Sequence, residues 1–429
     1  MWSDRPSPAP RRELVDRLRK ILPTGERDAV PATGDFVWLD RPGRGELAAN
    51  PIARLSVAAG IATICGPCGR VQVEARGFDL IEAALEAWGG LGEARLFGYL
   101  GYELGAELED VPHQTAGPGD LPDLCLGLYE EWGRKPDRFL RVAARKIALT
   151  SKPSDQGFCD AVARTVNRIH NGELFQVNLC RRLETDLPET DILPLYHRLR
   201  EITPASYGAF LQIGASAVLS ASPELFLSVR NGRVRTCPIK GTRPRGANPN
   251  EDRALVSSLL SSEKDRAELA MIVDVARNDL GRVCRARSVS VDRHAELMTL
   301  PTVHHTYSEV SGQLRDGCSA ADLLRASFPP ASISGAPKIR AMEVAAMEEG
   351  YRRGPAMGSI GWIAMNGDME LSVAIRTAVA SQGQVYYLAG CGITAESLPE
   401  EELAESKAKA AAFLKALETL SEPEPQHHR

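Results

Sequence analysis

The chain has 429 residues, of which 43% are hydrophobic and 25% charged, and its formal net charge is -5. These values are ordinary for a globular protein, and without a long basic run there is no support for nucleic-acid binding. No apolar run approaches the roughly 20 residues that cross a bilayer, and the polar, Pro-rich start of the chain has no apolar signal core. We therefore expect a cytoplasmic protein that does not enter membranes.

The first third of the chain predicts a polar arm, a helix over Arg12 to Leu22, and then short strands interrupted by one amphipathic helix, Leu80 to Trp88. The segment Cys65-Gly66-Pro67-Cys68 has the letters of a redox motif, but β-branched runs flank it and Gly-Pro is typical of a turn. No helix is predicted after it, and the sequence shows no second pair of zinc ligands. We interpret it as a hairpin turn.

The remaining two thirds mix strands and helices without a regular βαβ alternation, which favours an α+β fold with large antiparallel sheets. Asn366-Gly367 is a favoured two-residue turn and predicts a hairpin between strands Met357 to Met365 and Leu371 to Val379. The predicted helices are Asp160 to Asn171, Ser261 to Asp279, Ala320 to Ala326, Ala336 to Glu349 and Glu400 to Leu420. We expect an N-terminal subdomain, residues 1–150, intertwined with the core, a main domain, residues 151–420, and a disordered tail, residues 421–429.

Two of the predicted helices carry acidic faces. Asp265 and Glu268 are three residues apart on one helix, and Glu402, Glu405 and Lys409 share a face of the last helix. Carboxylates from two helices brought together would bind Mg²⁺, which typically takes one or two carboxylates plus water and substrate oxygens. Solvated, charge-paired helix surfaces show the same spacing and are the commoner case.

Three short segments are candidates for binding an anion. Gly390 and Gly392 follow a strand and leave backbone N–H groups open to a carboxylate, and Gly241 and Thr242 offer a similar set of donors. Arg376, at the end of an apolar strand, is a candidate bidentate clamp. Taken singly, these residues are equally compatible with turn glycines and a surface arginine.

Glu224 and Lys240 bound neighbouring strand segments and are placed to share a cleft. A nucleophilic lysine must be neutral, whereas only about one free lysine in a thousand is neutral at pH 7.4. Burial or a nearby cation favours the neutral amine, and two arginines follow Lys240 closely. Judged alone, Lys240 is more often a surface loop residue, since lysines are mostly exposed.

Together these segments resemble the chorismate-utilising enzymes, a family that includes anthranilate, aminodeoxychorismate, isochorismate and salicylate synthases. The resemblance runs from about Ile169 to Ala411. Its segments in chain order are Ile169-His-Asn-Gly-Glu-Leu-Phe-Gln-Val-Asn-Leu179, Ser222-Pro-Glu-Leu-Phe226, Pro238-Ile-Lys-Gly-Thr-Arg243, Arg277-Asn-Asp-Leu-Gly281, Phe328-Pro329, Ser334-Gly-Ala-Pro-Lys338, Ala374-Ile-Arg-Thr377 and Gly390-Cys-Gly-Ile393.

The resemblance implies two large facing antiparallel sheets with helices outside, chorismate as substrate and Mg²⁺ as cofactor. It implies a metal site in which Glu268 and Glu405 are the Mg²⁺ ligands, with Asp265 and Glu402 beside them. It assigns substrate binding to Gln176, Gly241, Thr242, His305, Arg376, Gly390, Gly392 and Lys409. It also assigns general acid–base catalysis to Glu224, beside the ring hydroxyl.

Two positions separate the branches of this family. Gln176 stands where isochorismate and salicylate synthases carry a water-activating lysine, so the resemblance implies ammonia as the nucleophile. Lys240 stands where aminodeoxychorismate synthases carry lysine and anthranilate synthases alanine. This implies amino-group transfer to chorismate through a covalent Lys240 intermediate, for 4-aminobenzoate and folate synthesis, with ammonia from a separate glutamine amidotransferase. The alternatives are anthranilate synthesis and, given Ala331 and Ala356, an inactive relative that serves as a glutaminase partner.

Overall fold

A computed structural model describes residues 9–22, 34–112, 114, 120–133 and 149–420. Its helices are α1 (Arg11–Ile21), α2 (Gly77–Trp88), α3 (Asp155–His170), α4 (Ile192–Ile202), α5 (Pro249–Ser261), α6 (Glu263–Gly281), α7 (Ala320–Ser327), α8 (Lys338–Glu349) and α9 (Pro399–Leu420). The first eleven strands are β1 (Phe36–Arg41), β2 (Arg44–Ala49), β3 (Ala53–Ala58), β4 (Ile61–Gly66), β5 (Gly69–Glu74), β6 (Arg95–Leu100), β7 (Leu124–Tyr129), β8 (Thr150–Lys152), β9 (Gln176–Asp186), β10 (Tyr207–Ile213) and β11 (Ser216–Ser222). The others are β12 (Leu225–Arg230), β13 (Arg233–Cys237), β14 (Ile239–Pro244), β15 (Ser290–Thr299), β16 (Val303–Gln313), β17 (Gly335–Ala336), β18 (Ser359–Ala364), β19 (Met369–Val373), β20 (Thr377–Ser381) and β21 (Gln384–Ile393).

The strands form two large antiparallel sheets, which confirms the predicted α+β class. The nine-stranded sheet has the order β17-β9-β21-β20-β11-β10-β1-β2, with β8 beside β9. The twelve-stranded sheet has the order β14-β16-β13-β12-β19-β18-β6-β7-β3-β4-β5, with β15 beside β16. Strands from the first third of the chain therefore complete both sheets rather than forming a sheet of their own.

Apolar side chains from both sheets meet in one central core. Leu211 and Val379 of the nine-stranded sheet and Leu227 and Leu371 of the twelve-stranded sheet belong to the same buried cluster. The opposite face of the nine-stranded sheet is covered by α4 and α9. Both faces of this sheet are thus buried, as expected for a layered arrangement with helices outside.

Two connections between strands cross from one sheet to the other, and these two crossings lie next to each other. The chain leaves β11 in the nine-stranded sheet and enters β12 in the twelve-stranded sheet through Pro223 and Glu224, and it returns between β19 and β20 through residues 374–376. The two crossings are hydrogen-bonded to each other, since Val373 N donates to Glu224 O (3.0 Å) and Ala221 N donates to Arg376 O (3.0 Å). The hairpin predicted across Asn366-Gly367 is confirmed. The prediction of one continuous second strand, Leu371 to Val379, is wrong, because the chain changes sheet between β19 and β20.

The helix predicted over Ser261 to Asp279 is confirmed as α6, and a separate helix that was not predicted, α5, precedes it. Ser262 separates them because it adopts an extended backbone conformation, and its side chain accepts a hydrogen bond from Asp265 N, as an N-cap does. The predicted turn at Gly66-Pro67 is confirmed as the β4–β5 hairpin. The polar arm (1–8 and 23–33) and the tail (421–429) lie outside the described residues. Among the helices of the described ranges, none has the length and apolar character needed to cross a membrane.

Candidate active site

The two sheet crossings place Glu224 and Arg376 in neighbouring positions. Glu224 is only 3% exposed, and burial raises the pKa of its carboxyl to about 7. The Ser332 hydroxyl and the charges of Lys240 and Arg376 act in the opposite direction, so all three lie close to this carboxyl. A carboxyl whose pKa lies near neutrality can both give and take a proton, which suits a general acid–base.

Lys240 reaches the same space from β14. A bulge interrupts the pairing of β14 with β16 between Lys240 and Thr242, where Gly241 has a φ of +72° that favours glycine. Lys240 Nζ lies 3.8 Å from Glu268 Oε2, and each side chain is 13% exposed. Lys240 is therefore not the surface residue that its type alone suggests.

Gln176 and Gly392 complete the surroundings of the Lys240 amine. Gln176, 1% exposed, donates from Nε2 to Glu268 Oε2 at 3.3 Å, while its Oε1 is buried without a hydrogen-bond partner among the described residues. A Cβ atom placed on Gly392 would lie 2.4 Å from Gln176 Nε2 and 3.1 Å from Lys240 Nζ. Glycine at 392 thus leaves the space in which these two side chains meet.

Arg376 is held by a neutral histidine. Its Nη2 lies 3.2 Å from His305 Nε2, which must accept because the guanidinium has only donors. His305 Nδ1 then carries the proton and faces Gly241 O at 3.1 Å, with Thr242 Oγ1 at 2.9 Å. Burial and the charge of Arg376 lower the pKa of His305 to about 4, which keeps the imidazole uncharged at neutral pH.

The positive charge of Arg376 is available to a ligand. Its backbone has a φ of +51°, and the sheet crossing fixes this conformation through the hydrogen bond to Ala221 N. Within the described ranges the guanidinium forms no ion pair with a carboxylate, and burial lowers its pKa. A buried cation without a counterion, next to Glu224 and His305, is suited to binding a substrate carboxylate in bidentate fashion.

Three of the four predicted metal carboxylates converge between α6 and α9. Burial raises the pKa of Glu268, and the neighbouring charge of Glu405 raises it further. Ligand atoms of Glu402, Glu405 and Cys391 lie within 4.8 Å of one another. Glu402 is 2% exposed; its Oε1 accepts from Ser397 Oγ at 2.7 Å, but its Oε2 is buried without a hydrogen-bond partner among the described residues. Clustered carboxylates with an unsatisfied oxygen fit a hard divalent cation such as Mg²⁺.

Asp265 faces a different partner from the other three acids. Its Oδ2 accepts a hydrogen bond from Arg243 Nη2 at 3.1 Å, and its Cγ would lie 3.1 Å from a Cβ placed on Gly241. This aspartate thus packs against the β14 bulge and neutralises an arginine. Its contacts favour a supporting position beside the metal carboxylates rather than a place among them.

Lys409 joins the last helix to the glycine-containing strand. Its Nζ donates to Gly390 O at 2.8 Å and pairs with Glu405 Oε1 at 2.6 Å. Although burial opposes its ionisation, the contact with Lys409 lowers the pKa of Glu405, so this carboxylate is charged at neutral pH. A Cβ on Gly390 would come within 2.6 Å of Asn178 Nδ2, so strand packing also requires glycine there.

Three contributors to the site were not identified from the sequence. Lys264 Nζ lies 3.4 Å from Glu402 Oε1, Ser397 binds the same oxygen, and Ser332 lies beside Glu224. Ser332 lies between two of the segments that carry the family resemblance, Phe328-Pro329 and Ser334-Gly-Ala-Pro-Lys338. This position in the sequence is the feature that could have identified it. Lys264 and Ser397 carry no pattern that distinguishes them from surface residues.

The chain is similar to several known proteins. The family model described as chorismate binding enzyme matches residues 134–415. Aminodeoxychorismate synthase component 1 of Salmonella typhimurium is 40% identical over 75% of this chain and 76% of its own length. Anthranilate synthase component 1 of Acetivibrio thermocellus is also 40% identical, over 65% of this chain and 56% of its own length. The solved structure of anthranilate synthase component I from Streptococcus pneumoniae superposes with a TM-score of 0.73 at 27% identity, covering 91% of this chain and 94% of the other. The chain belongs to the chorismate-binding enzyme family.

Proposed function

We propose that the protein is a synthase that aminates chorismate with ammonia to 4-amino-4-deoxychorismate, with Lys240 as a covalent nucleophile. The observation that carries this proposal is the position of the Lys240 amine, enclosed by Gln176, Gly392 and Glu268 and close enough to Glu224 for their charges to interact. Anthranilate synthesis is the second candidate, because an anthranilate synthase component is as similar in identity as the aminodeoxychorismate synthase component.

In the first half of the reaction, the neutral Lys240 amine attacks C2 of the ring. A C2–N bond forms, both ring double bonds shift, and the C4–O bond breaks. Glu224 donates its proton to the departing oxygen, which leaves as water, and the proton displaced from the Lys240 nitrogen passes to the solvent or to a neighbouring base. The protonated form of Glu224 is accessible for this step because its pKa is about 7.

In the second half, ammonia attacks C4 and expels Lys240. A C4–N bond forms, the double bonds shift back, and the C2–N bond breaks. The departing Lys240 nitrogen takes up a proton, the equivalent of the one that it released in the first half, so that the lysine amine is regenerated. Glu224 takes the proton that the incoming ammonia loses and is ready for the next cycle. The sum of both halves is chorismate plus ammonia giving the amino product plus water.

The substrate's two carboxylates have separate positions in this proposal. Arg376, oriented by His305, and Lys409, beside Gly390, bind the enolpyruvyl carboxylate. Gly241 and Thr242 bind the ring carboxylate near the acidic cluster. Mg²⁺ bound by Glu268 and Glu405, with Glu402 beside them, would offset the charge of the ring carboxylate and fix its position. Ammonia is supplied by a separate glutamine amidotransferase subunit.

The direct test incubates the purified protein with chorismate, Mg²⁺ and an ammonium salt and identifies the product by liquid chromatography and mass spectrometry. We expect 4-amino-4-deoxychorismate. Lys240→Ala should lower kcat by roughly 10³-fold, equivalent to about 4 kcal/mol of barrier. Without ammonia, mass spectrometry of the wild-type protein should locate an adduct of chorismate minus water on Lys240.

The matched control is Lys407→Ala, which removes an exposed lysine of α9 that pairs with Asp155 outside the site. Its activity should equal that of the wild type. Fluorescent anthranilate as the product, or full activity of Lys240→Ala, would overturn the proposal. No turnover even with a glutaminase partner and glutamine would support the inactive-relative alternative.

A further inference from the structure

A small, partly open cavity lies beside Glu224, between β12, α6 and the segment that follows α7. It leaves about 20 Å³ for the centres of water molecules. Glu224 lines one part of it, and Ser332, Ser327 and Asp279 line the rest among apolar side chains such as Ala276. A cavity needs roughly 10–15 Å³ measured in this way to hold one water, so this space is large enough for a water molecule.

Two hydroxyl groups of the cavity, on Ser327 and Ser332, lack a well-formed hydrogen bond among the described residues. Ser327 is 4% exposed and Ser332 is 9% exposed. Among the residues that the structure describes, neither hydroxyl oxygen has a hydrogen-bond partner of normal geometry, although Ser332 lies near enough to Glu224 to lower its pKa. Buried hydroxyls are almost always hydrogen-bonded in native proteins, and a buried water is the usual partner where no protein group serves.

The cavity also borders a buried ion pair between Asp279 and Lys338. Asp279 Oδ2 accepts from Lys338 Nζ at 2.9 Å, and the same amine donates to Ser327 O at 2.7 Å. The aspartate that lines the cavity and the backbone of Ser327 are therefore tied to one buried lysine. With the Ser327 and Ser332 hydroxyls, the cavity offers the two to four polar partners that a buried water needs.

We propose that this cavity is a built water site that takes up the water expelled from C4. The inference rests on the proposed function, in which Glu224 protonates the leaving hydroxyl on one side and lines the cavity on the other. A water left beside C4 would occupy the place that ammonia needs and would favour the reverse reaction. Hydrogen bonds to Ser332 and Ser327 draw it into the cavity beside Glu224.

The first test is a high-resolution crystal structure of the enzyme. We expect at least one ordered water within about 3.2 Å of Ser327 Oγ or Ser332 Oγ. An empty cavity would overturn the proposal. This result does not depend on which position of chorismate is aminated, so it is separable from failure of the proposed function, which the identity of the product decides.

The second test is kinetic and uses two variants. Ala276→Val reduces the volume of the cavity, and Ser327→Ala removes a hydroxyl without reducing that volume. Each should lower kcat by roughly tenfold, a fraction of the 10²–10⁴-fold typical of general acid–base catalysis, because Glu224 remains in place. The KM values for chorismate and ammonia should not change. Ser359→Ala, which removes a buried hydroxyl that binds Ser372 O in the twelve-stranded sheet, is the control and should keep the wild-type kcat.

Two results would overturn the proposal. Wild-type kcat in both variants would show that the cavity plays no part in turnover. A raised KM for ammonia at unchanged kcat would identify the cavity as an ammonia site instead. Thermal denaturation of both variants verifies folding, and Ser327→Ala keeps the test decisive if Ala276→Val does not fold.

Discussion

Glu224 and Glu405 are carboxylates of the same site in opposite environments. Glu224 lies at a crossing between the two sheets, 3% exposed, where burial raises its pKa to about 7. Glu405 lies on α9 with a side chain that is 48% exposed, and Lys409 lowers its pKa. One carboxyl is therefore able to carry a proton near neutrality, and the other is held in its charged form. Environments that separate the pKa values of two acids are the usual basis for dividing catalytic roles between them.

The two regions also differ in how the fold builds them. The carboxylates of the acidic cluster lie on regular helices, so the helix face on which each one lies follows from the spacing in the sequence. The region around Glu224 comes from two strand crossings that bond to each other and set Arg376 in a left-handed backbone conformation. Helix faces suit ligands that tolerate small movements, such as a hydrated cation, whereas the bonded crossings fix the positions of Glu224 and Arg376.

Replacing Glu224, the proposed general acid–base, should have the largest effect on kcat. We expect Glu224→Gln to lower kcat by about 10²–10⁴-fold, the usual contribution of a general acid–base, with little change in the KM for chorismate. Steady-state kinetics at saturating Mg²⁺ and ammonia measure this. Glu309→Gln, which affects an ion pair with Arg235 in the twelve-stranded sheet, should behave as the wild type. A tenfold rise in KM at unchanged kcat would show that Glu224 binds substrate instead.

Substitutions in the acidic cluster should weaken Mg²⁺ binding rather than proton transfer. We expect Glu405→Gln and Glu268→Gln to raise the Mg²⁺ concentration for half-maximal activity by at least roughly tenfold, since each removes one of the few protein ligands. Mg²⁺ titrations of activity and calorimetric titrations without substrate check this independently. Asp265→Asn should raise it less, because Asp265 pairs with Arg243. An unchanged Mg²⁺ requirement in all three variants would contradict the assignment.

The sequence predicts these two regions to different extents. Spacing placed Glu268, Glu402 and Glu405 on helix faces, and Ser262 with Asp265 three residues later is a readable capping pattern that marks the start of α6. The sheet crossing at residues 374–376 was not predicted, because alternation of side chains describes a strand without showing to which sheet it belongs. The contact between His305 and Arg376 depends on that crossing and on the β14 bulge, and neither has a local sequence signal.

Loss of the hydrogen bond between His305 and Arg376 should have an intermediate effect, on the KM for chorismate. We expect His305→Leu to raise the KM for chorismate by roughly tenfold, equivalent to about 1.4 kcal/mol, because a buried guanidinium loses its partner. His305→Gln, whose side-chain oxygen is able to accept from Arg376, should recover part of this loss. The raised KM should be independent of pH between 5.5 and 8, since the pKa of His305 is about 4 and the imidazole is already neutral. If His305 had only a structural role, His305→Gln would not recover the KM for chorismate.

The pH dependence of the wild-type enzyme is the smallest effect and compares Glu224 with Glu405 directly. Loss of the 4-hydroxyl needs protonated Glu224, whose raised pKa is about 7, so the protonated fraction falls by about tenfold between pH 6 and pH 8. We expect the ratio of the wild-type to the Glu224→Gln kcat/KM for chorismate, measured at a constant concentration of neutral ammonia, to decline by that factor across this range. The ratio removes the pH dependence of groups other than Glu224, such as the Lys240 amine. Glu405, with a lowered pKa, stays ionised throughout and should add no second inflection. A decline that persists unchanged in the residual activity of Glu224→Gln would assign the inflection to another group, and the contrast between the two carboxyls would then have to rest on their metal dependence alone.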